Sequence, residues 1–357
     1  MPLIPALAAA DIAGEPSGLQ ALTGVTIVAE PGATPVTGTV ILRDGAIEML
    51  GSGVEIPPGT VVHERPGRVV YAGFIEPYLR LESPPEEKPE PGDIPEREGV
   101  SHDNHRVHAD RRVADGLPLD EKLRDEMRDA GYAAAFVAAG DGVFRGVGAV
   151  VGLGDGDAAA QVIDAESAQV VAFETGHWTN PLYPNSLMGA ISLTRQTLYD
   201  ADWHRQAWDA WEGGADDAPR PLENAALRAL EPALQRAQPV FLESEDLRMM
   251  PRVLKVAREF RLKPVVVSGG ADEWRRPERV RDWLKGAGAD LVLAVDFPRA
   301  PHWNEPEEQV GVELDRLIHW ERAPTSPRRL QEAGVRFAVT TQGLEERAYV
   351  LNRLRTA

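Results

Sequence analysis

Two pairs of alternating residues carry side chains that could do chemistry together. Tyr78 and Arg80 follow one run of apolar residues, and Glu243 and Glu245 follow another. Side chains two residues apart on a β-strand lie on the same face of the sheet. A guanidinium group that is partly buried needs a charged partner, because burying an unpaired charge costs several kcal/mol. If the fold brings the two pairs together, Arg80 should form an ion pair with Glu243 or Glu245.

Three histidines suggest a second kind of chemistry. His102, His105 and His108 have two residues between neighbours, and such a spacing could chelate a divalent metal. They lie within or just after residues 83–105, a polar, proline-rich segment that we predict to be a loop. Solvent-exposed histidines are the simpler interpretation of that position. A metal site at these histidines remains an alternative, and otherwise we expect no cofactor.

The composition argues against several classes of protein. The chain of 357 residues has a formal net charge of −18, whereas nucleic-acid-binding proteins favour basic surfaces. It has no cysteine, and no apolar run approaches the ~20 residues that cross a membrane. Residues 1–22 are predicted to be a leader or a disordered terminus. The protein would be periplasmic if a longer export signal precedes them, and cytoplasmic otherwise.

The patterning of the remaining residues predicts two domains. Short β-branched runs between residues 23 and 72, with the turn signal Asp44-Gly45, indicate a small β unit. From residue 119 onwards, apolar runs alternate with amphipathic stretches, which is typical of parallel strands covered by helices. The clearest strands are expected at Ala133–Ala138, Pro239–Leu242, Pro264–Val267, Asp290–Ala294 and Arg336–Thr340. The clearest helices are expected at Leu227–Ala237, at Glu278–Lys285, and from Ser326 as N-cap to Gly334.

Residues 72–80, AGFIEPYLR, resemble the first barrel strand of the metal-dependent amidohydrolases, which reads P-G-F-I-D-x-H-x-H. In that superfamily the two alternate histidines bind a divalent metal, and here Tyr78 and Arg80 take their places. Residues 142–151 and 183–201 also resemble segments of the imidazolonepropionase-related branch. The resemblance implies an α/β fold, with a (β/α)8 TIM-like barrel of the metal-dependent hydrolase type in residues 73–357 and a small, incomplete N-terminal β-sandwich unit in residues 23–72.

The same resemblance implies a degenerate metal site. The metal-binding histidine of the fifth strand would correspond to Glu243, with Glu245 two residues further, and that of the sixth strand falls near Gly269. The aspartate of the eighth strand, the general base of the family, would correspond to Gln342. An amide cannot accept a proton from water as a carboxylate does. The usual metal ligands and the base are therefore expected to be replaced.

The C-terminal part also departs from the family pattern. After the expected eighth strand, residues 344–357 predict a single helix, whereas the family continues with strands that return to the sandwich. We expect the β unit to expose an unpaired edge, which favours pairing with another strand. Self-association, or a partnership with an intact amidohydrolase paralogue, would complete it.

Three functions are consistent with these expectations. The protein could be an amidohydrolase that acts on a C–N bond with weakened or lost metal-dependent activity, a family assignment by analogy. It could be a catalytically inactive paralogue that partners an intact amidohydrolase. It could also be a barrel that binds a small polar molecule through Tyr78, Arg80, Glu243 and Glu245 without hydrolysing it.

Overall fold

The structure, a computed structural model, describes residues 18–81, 101–116, 119–174, 183–214, 219–301 and 312–357. These residues form two compact units. The first contains the described residues up to Ile75, together with Glu121–Ala134 and Leu153–Asp155. The second contains the described residues of Glu76–Asp120, Ala135–Gly152 and Gly156–Ala357. The domain boundary expected between residues 72 and 73 remains a prediction.

The N-terminal sheet has five strands, and their bounds are β1 Leu19–Val28, β2 Val36–Arg43, β3 Ala46–Gly51, β4 Val61–Glu64 and β5 Val69–Tyr71. Their order is β3-β2-β1-β4, and β5 also pairs with β1. Asp44 and Gly45 have positive φ angles of 50° and 79°, as a two-residue hairpin between β2 and β3 requires. Strand β1 begins at Leu19, within the segment where we expected a leader or a disordered terminus.

Strand β3 lies at one edge of this sheet. Ile47, Met49 and Leu50 are exposed there, and the apolar core of the sheet lies instead around Val25 and Val40 in β1 and β2. An exposed edge strand can pair with another chain. Pairing of this edge nevertheless stays a prediction.

The larger sheet has eight strands, and their bounds are β6 Phe74–Arg80, β7 Tyr132–Ala138, β8 Phe144–Gly152, β9 Val162–Val171, β10 Val240–Ser244, β11 Pro264–Ser268, β12 Asp290–Ala294 and β13 Ala338–Thr340. They follow one another across the sheet in chain order. A hydrogen bond of 2.8 Å from Thr340 Oγ1 to the carbonyl of Tyr78 joins the first and last strands, so the sheet is a nearly closed barrel.

The barrel departs from the expected (β/α)8 pattern between β8 and β9, which pair antiparallel, whereas the pairs from β9 to β13 are parallel. The connection from β8 to β9 is residues 153–161 and carries only the short 3₁₀ turn Ala158–Gln161. A parallel crossover needs about a dozen residues or more, usually with a helix. So short a connection favours an antiparallel pair.

The α-helices of the described residues are α1 Glu121–Asp129, α2 Leu187–Glu212, α3 Ala225–Ala229, α4 Glu231–Leu234, α5 Met250–Glu259, α6 Pro277–Ala287, α7 Leu314–Arg322, α8 Ser326–Glu332 and α9 Val350–Thr356. The single helix expected at residues 227–237 is instead two short helices that meet at Leu230. Helix α8 begins at Ser326 as expected, but Ser326 is not its N-cap. Its hydroxyl accepts a hydrogen bond from the backbone N–H of Trp274. No helix in these residues is long and apolar enough to cross a membrane.

Strand β10 shows how the barrel is packed. Val240 and Leu242 join the large apolar cluster that also contains buried residues of the helices, such as Leu254 of α5. Phe241 alternates with them and packs in a second cluster, which contains residues of β6, β7, β9, β11 and β12. The second cluster is therefore the barrel interior. Glu243 is two residues from Phe241 along the strand, so its side chain lies on the same inner face.

Candidate functional site at the barrel mouth

An aromatic stack fills the barrel below the candidate site. The rings of Phe136 and Phe241 are parallel within 9° with their centroids 4.4 Å apart. The ring of Tyr78 lies 5.7 Å from Phe241 and 6.1 Å from Phe136. Tyr78 is 1% exposed, so its hydroxyl is the polar tip of an otherwise apolar stack.

The carboxylate of Glu243 lies at the centre of the site. The hydroxyl of Tyr78 donates a hydrogen bond to its Oε1. The Nη1 of Arg80 lies 3.1 Å from Oε2, which confirms the predicted ion pair. The Nη2 of Arg145 lies 3.2 Å from the same oxygen. Two guanidinium groups and a phenol therefore surround a carboxylate whose side chain is 13% exposed.

Glu245 does not belong to this group. Strand β10 ends at Ser244, and the chain turns away immediately afterwards. Glu245 is exposed, and it makes no ion pair within the described part of the chain. The alternation that placed both glutamates on one face holds only while the strand continues. The alternative pairing of Arg80 with Glu245 was wrong for this reason.

Arg145 of β8 is a member of the site that the sequence analysis missed as a functional residue. Its side chain is 2% exposed. Besides Glu243, its Nη2 contacts Glu174 Oε2 at 2.9 Å, and its Nη1 donates to the carbonyl of Gly140. A lone arginine in the apolar run of residues 143–151 was the available signal, because a buried guanidinium group must be paired.

The charged network continues away from Glu243. The Nη2 of Arg106 lies 4.0 Å from Glu174 Oε2, and Arg111 pairs with Asp141 at 2.8 Å. Burial alone would raise the pKa of Asp141, but the charges of Arg111 and His108 lower it below its ordinary value. The site is thus an alternation of arginines and acids.

The candidate histidine site does not assemble. The Nδ1 of His102 accepts a hydrogen bond from the backbone N–H of Asn104. Burial lowers the pKa of His105 and, together with the charge of Arg111, that of His108. Among the residues that the structure describes, no group of three or more His, Cys, Asp or Glu side chains is placed to hold a metal ion.

Side chains hold β6 to the end of β13. The buried carboxyl group of Glu76 accepts hydrogen bonds from the backbone N–H groups of Tyr78 at 3.1 Å and Thr341 at 2.9 Å. Burial raises the pKa of Glu76. Gln342 Oε1 accepts a bond of 3.2 Å from the backbone N–H of Arg80. Gln342, which stands where the resemblance places a base, therefore acts in this structure as a link between two strands.

Gly269 has a structural reason to lack a side chain. A Cβ atom there would lie 2.5 Å from the carbonyl oxygen of Glu245. The next residue, Gly270, has a φ angle of +75°, and a Cβ atom there would lie 1.8 Å from the carbonyl oxygen of Ala294. The backbone is too close at these positions for a ligating side chain.

Glu273 is a second buried carboxyl group and is 1% exposed. The hydroxyl of Ser268, the last residue of β11, donates a hydrogen bond to its Oε1. The backbone N–H of Asp272 donates to Oε2 at 3.0 Å. Burial, the largest cause, raises the pKa of Glu273 above its ordinary value despite these bonds.

The raised pKa of Glu273 predicts a dependence of stability on pH. Between the unfolded-state pKa and the raised folded-state pKa, the folded protein binds more protons, so its stability must fall as pH rises. Glu273→Gln cannot ionise. We therefore expect the unfolding free energy of the wild type, relative to this variant, to fall as pH rises from the ordinary glutamate pKa of about 4.3 through the neutral range, as measured in urea titrations. A difference in unfolding free energy between the two proteins that stays constant across this range would contradict a raised pKa of Glu273.

The residues at the mouth do not fit a divalent metal. Tyr78 and the two arginines that surround Glu243 are donors, and metal binding needs acceptors. Burial, followed by the neighbouring charge of Glu243, raises the pKa of Tyr78 well above its ordinary value, so its hydroxyl keeps its proton. The guanidinium groups already neutralise the carboxylate, and they would repel a second cation.

Comparisons with known proteins give the fold. No protein-family model and no curated protein sequence matches the chain. The structure is similar to an amidohydrolase from Thermotoga maritima MSB8, with a TM-score of 0.68, 14% sequence identity and coverage of 94% of this chain and 82% of that chain. Also similar is a β-aspartyl dipeptidase from Fervidobacterium islandicum AW-1, with a TM-score of 0.40, 12% identity and coverage of 92% and 74%. The first likeness shows that the chain has the fold of that amidohydrolase.

Proposed function

We propose that this protein is a member of the amidohydrolase superfamily in which a cluster of ion pairs has replaced the metal centre, and that it binds a small molecule without metal-dependent hydrolysis. Its fold, shared with the Thermotoga maritima amidohydrolase, supports membership. The resemblance of residues 72–80 and 142–151 supports the same superfamily and favours its imidazolonepropionase-related branch.

The observation that carries the proposal is the environment of Glu243. Both of its oxygens are engaged, one by the hydroxyl of Tyr78 and the other by Arg80 and Arg145. A carboxylate that must activate water needs a free oxygen lone pair directed at that water. Gln342, at the position of the expected base, carries an amide that cannot take up the proton. The donors around Glu243 and the amide at the position of the expected base both support a site without hydrolysis of the family type.

The same geometry favours ligand binding over hydrolysis and over a purely structural partnership. Arg80 is partly exposed at the mouth, with 38% of its side chain accessible. A role limited to partnering an intact paralogue does not require an accessible charge there. Metal-dependent hydrolysis of a C–N bond is the competing function that the experiment that follows tests, and partnership with a paralogue remains an alternative.

Metal binding tests the proposal directly. Purified protein, incubated with Zn²⁺ or Mn²⁺ and then desalted, should hold far less than a stoichiometric amount of metal by elemental analysis. Calorimetry should show no tight site, because the arginines repel the ion. A stoichiometric metal that is lost in Glu243→Gln would overturn the proposal. A triple variant with His102, His105 and His108 replaced by alanine is the control, because metal lost only in that variant would belong to the histidines.

A further inference from the structure

Arg80 presents an unused pair of donors at the barrel mouth. Its Nη1 pairs with Glu243, whereas its Nε and Nη2 have no protein partner in the part of the chain that the structure describes. These two N–H groups lie along one edge of a planar guanidinium group. That edge is the fork that pairs with both oxygens of a carboxylate at once.

The neighbouring free polar group is also a donor. The Oε1 of Gln342 accepts from the backbone N–H of Arg80, and this bond fixes the orientation of the amide. Its Nε2 is thereby directed elsewhere, and none of the described residues accepts from it. Two donor groups therefore belong to residues that meet at the end of β6, and an ionised carboxylate, which is only an acceptor, complements such donors.

The local charge balance also favours an anion. Three guanidinium groups in this network, from Arg80, Arg106 and Arg145, face two carboxylates, from Glu174 and Glu243. These five residues thus carry three positive and two negative charges in a chain whose net charge is −18. Arg145 already balances Glu243 from the buried side, so the Nε and Nη2 groups of the partly exposed Arg80 remain to attract a ligand.

We propose that the barrel mouth binds a small organic carboxylate, held by the Nε and Nη2 fork of Arg80 and assisted by the amide of Gln342. This inference rests on the proposed function, because a bound metal at Glu243 would displace Arg80. It names the chemical class of the ligand for that binding barrel. The aromatic stack of Tyr78, Phe136 and Phe241 below the mouth leaves the ligand's acid group at the rim.

Benzoate and benzamide have similar shapes, but only benzoate is charged. A comparison of their binding therefore isolates the contribution of the negative charge. We expect benzoate to shift the Nε–Hε NMR signal of Arg80 saturably at constant ionic strength, and benzamide to shift it much less. Arg80→Gln should weaken benzoate binding by at least about tenfold, as the loss of charge-assisted hydrogen bonds predicts. Arg80→Lys should weaken it as well, because it keeps the charge and loses the fork.

Arg43→Gln is the matched control. Arg43 is an exposed arginine of β2 that pairs with Glu48 at 3.1 Å, and its removal changes the net charge equally. Benzoate binding should be unchanged in that variant. Because the Arg80 variants lack the Nε–Hε signal, isothermal titration calorimetry measures the affinity in all variants and in the wild type. Binding of benzoate no tighter than benzamide, equal binding in wild type and Arg80→Gln, or equal affinity for inorganic phosphate would each overturn the inference.

A chelator distinguishes failure of the carboxylate site from failure of the proposed function. The titrations are repeated with 1,10-phenanthroline, which carries no carboxylate of its own. Benzoate binding that disappears with the chelator would place the acid on a metal ion and would refute both proposals. Benzoate binding that is absent throughout, in protein that also binds no metal, would refute the carboxylate site alone.

Discussion

Replacing Arg145 with methionine should lower the free energy of unfolding by about 3–5 kcal/mol, the usual cost of removing one partner of a buried ion pair. Methionine keeps the length of the side chain but loses its charge. The carboxylate of Glu243, 13% exposed, would retain Arg80 and Tyr78 but lose its buried cation. The carbonyl of Gly140 would also lose its donor. Urea unfolding at neutral pH measures the change.

An exposed arginine provides the comparison. Arg195 of α2 pairs with Glu259 at 2.6 Å on the protein surface, where solvent weakens the interaction. Arg195→Met should therefore cost much less than Arg145→Met. The double variant Arg145→Met/Glu243→Gln should be less destabilised than Arg145→Met alone, because the stranded carboxylate becomes neutral. Equal losses for Arg145→Met and Arg195→Met would show that the buried network contributes no special stability.

The candidate site could be predicted from the sequence only in part. Arg80 and Glu243 were predicted as a pair because the resemblance places both at metal-ligand positions of the barrel mouth, where a partly buried guanidinium group needs a charged partner. Arg145 was overlooked because its segment was compared with a family pattern and not assessed for burial. Glu174 lies past the end of β9, where strand alternation gives no direction for a side chain.

The fold was predicted more completely, because hydrophobic alternation reports directly on burial. Strand β12 at Asp290–Ala294 has the predicted bounds, and β11 differs from its prediction by one residue. The antiparallel pair β8 and β9 was not predicted, since an apolar run does not reveal strand direction. The length of the connection between them did hold that information, because residues 153–161 are too few for a crossover helix.

Replacing Phe136 with alanine should also lower the free energy of unfolding by about 3–5 kcal/mol, from lost burial and from the cavity left behind. Phe136 of β7 is 5% exposed and stacks between the barrel wall and the ring of Phe241. It also supports the ring of Tyr78, whose hydroxyl binds Glu243. The variant should therefore weaken the contacts of Tyr78 at the barrel mouth as well as the packing of the core. Phe136→Leu retains most of the volume and should cost less than about 1.5 kcal/mol in the same urea titrations.

Gly148 of β8 offers a sharper test of this packing. A Cβ atom at Gly148 would lie 2.3 Å from the ring of Phe136, so Gly148→Ala should be strongly destabilising in the wild type. In the Phe136→Ala background the ring is gone, and the added methyl group enters the cavity that it left. The nearby carbonyl oxygen of Val137, at 2.8 Å, leaves some strain, so we expect partial compensation and not full recovery. Strictly additive losses in the double-mutant cycle would mean that Phe136 does not occupy the space beside Gly148.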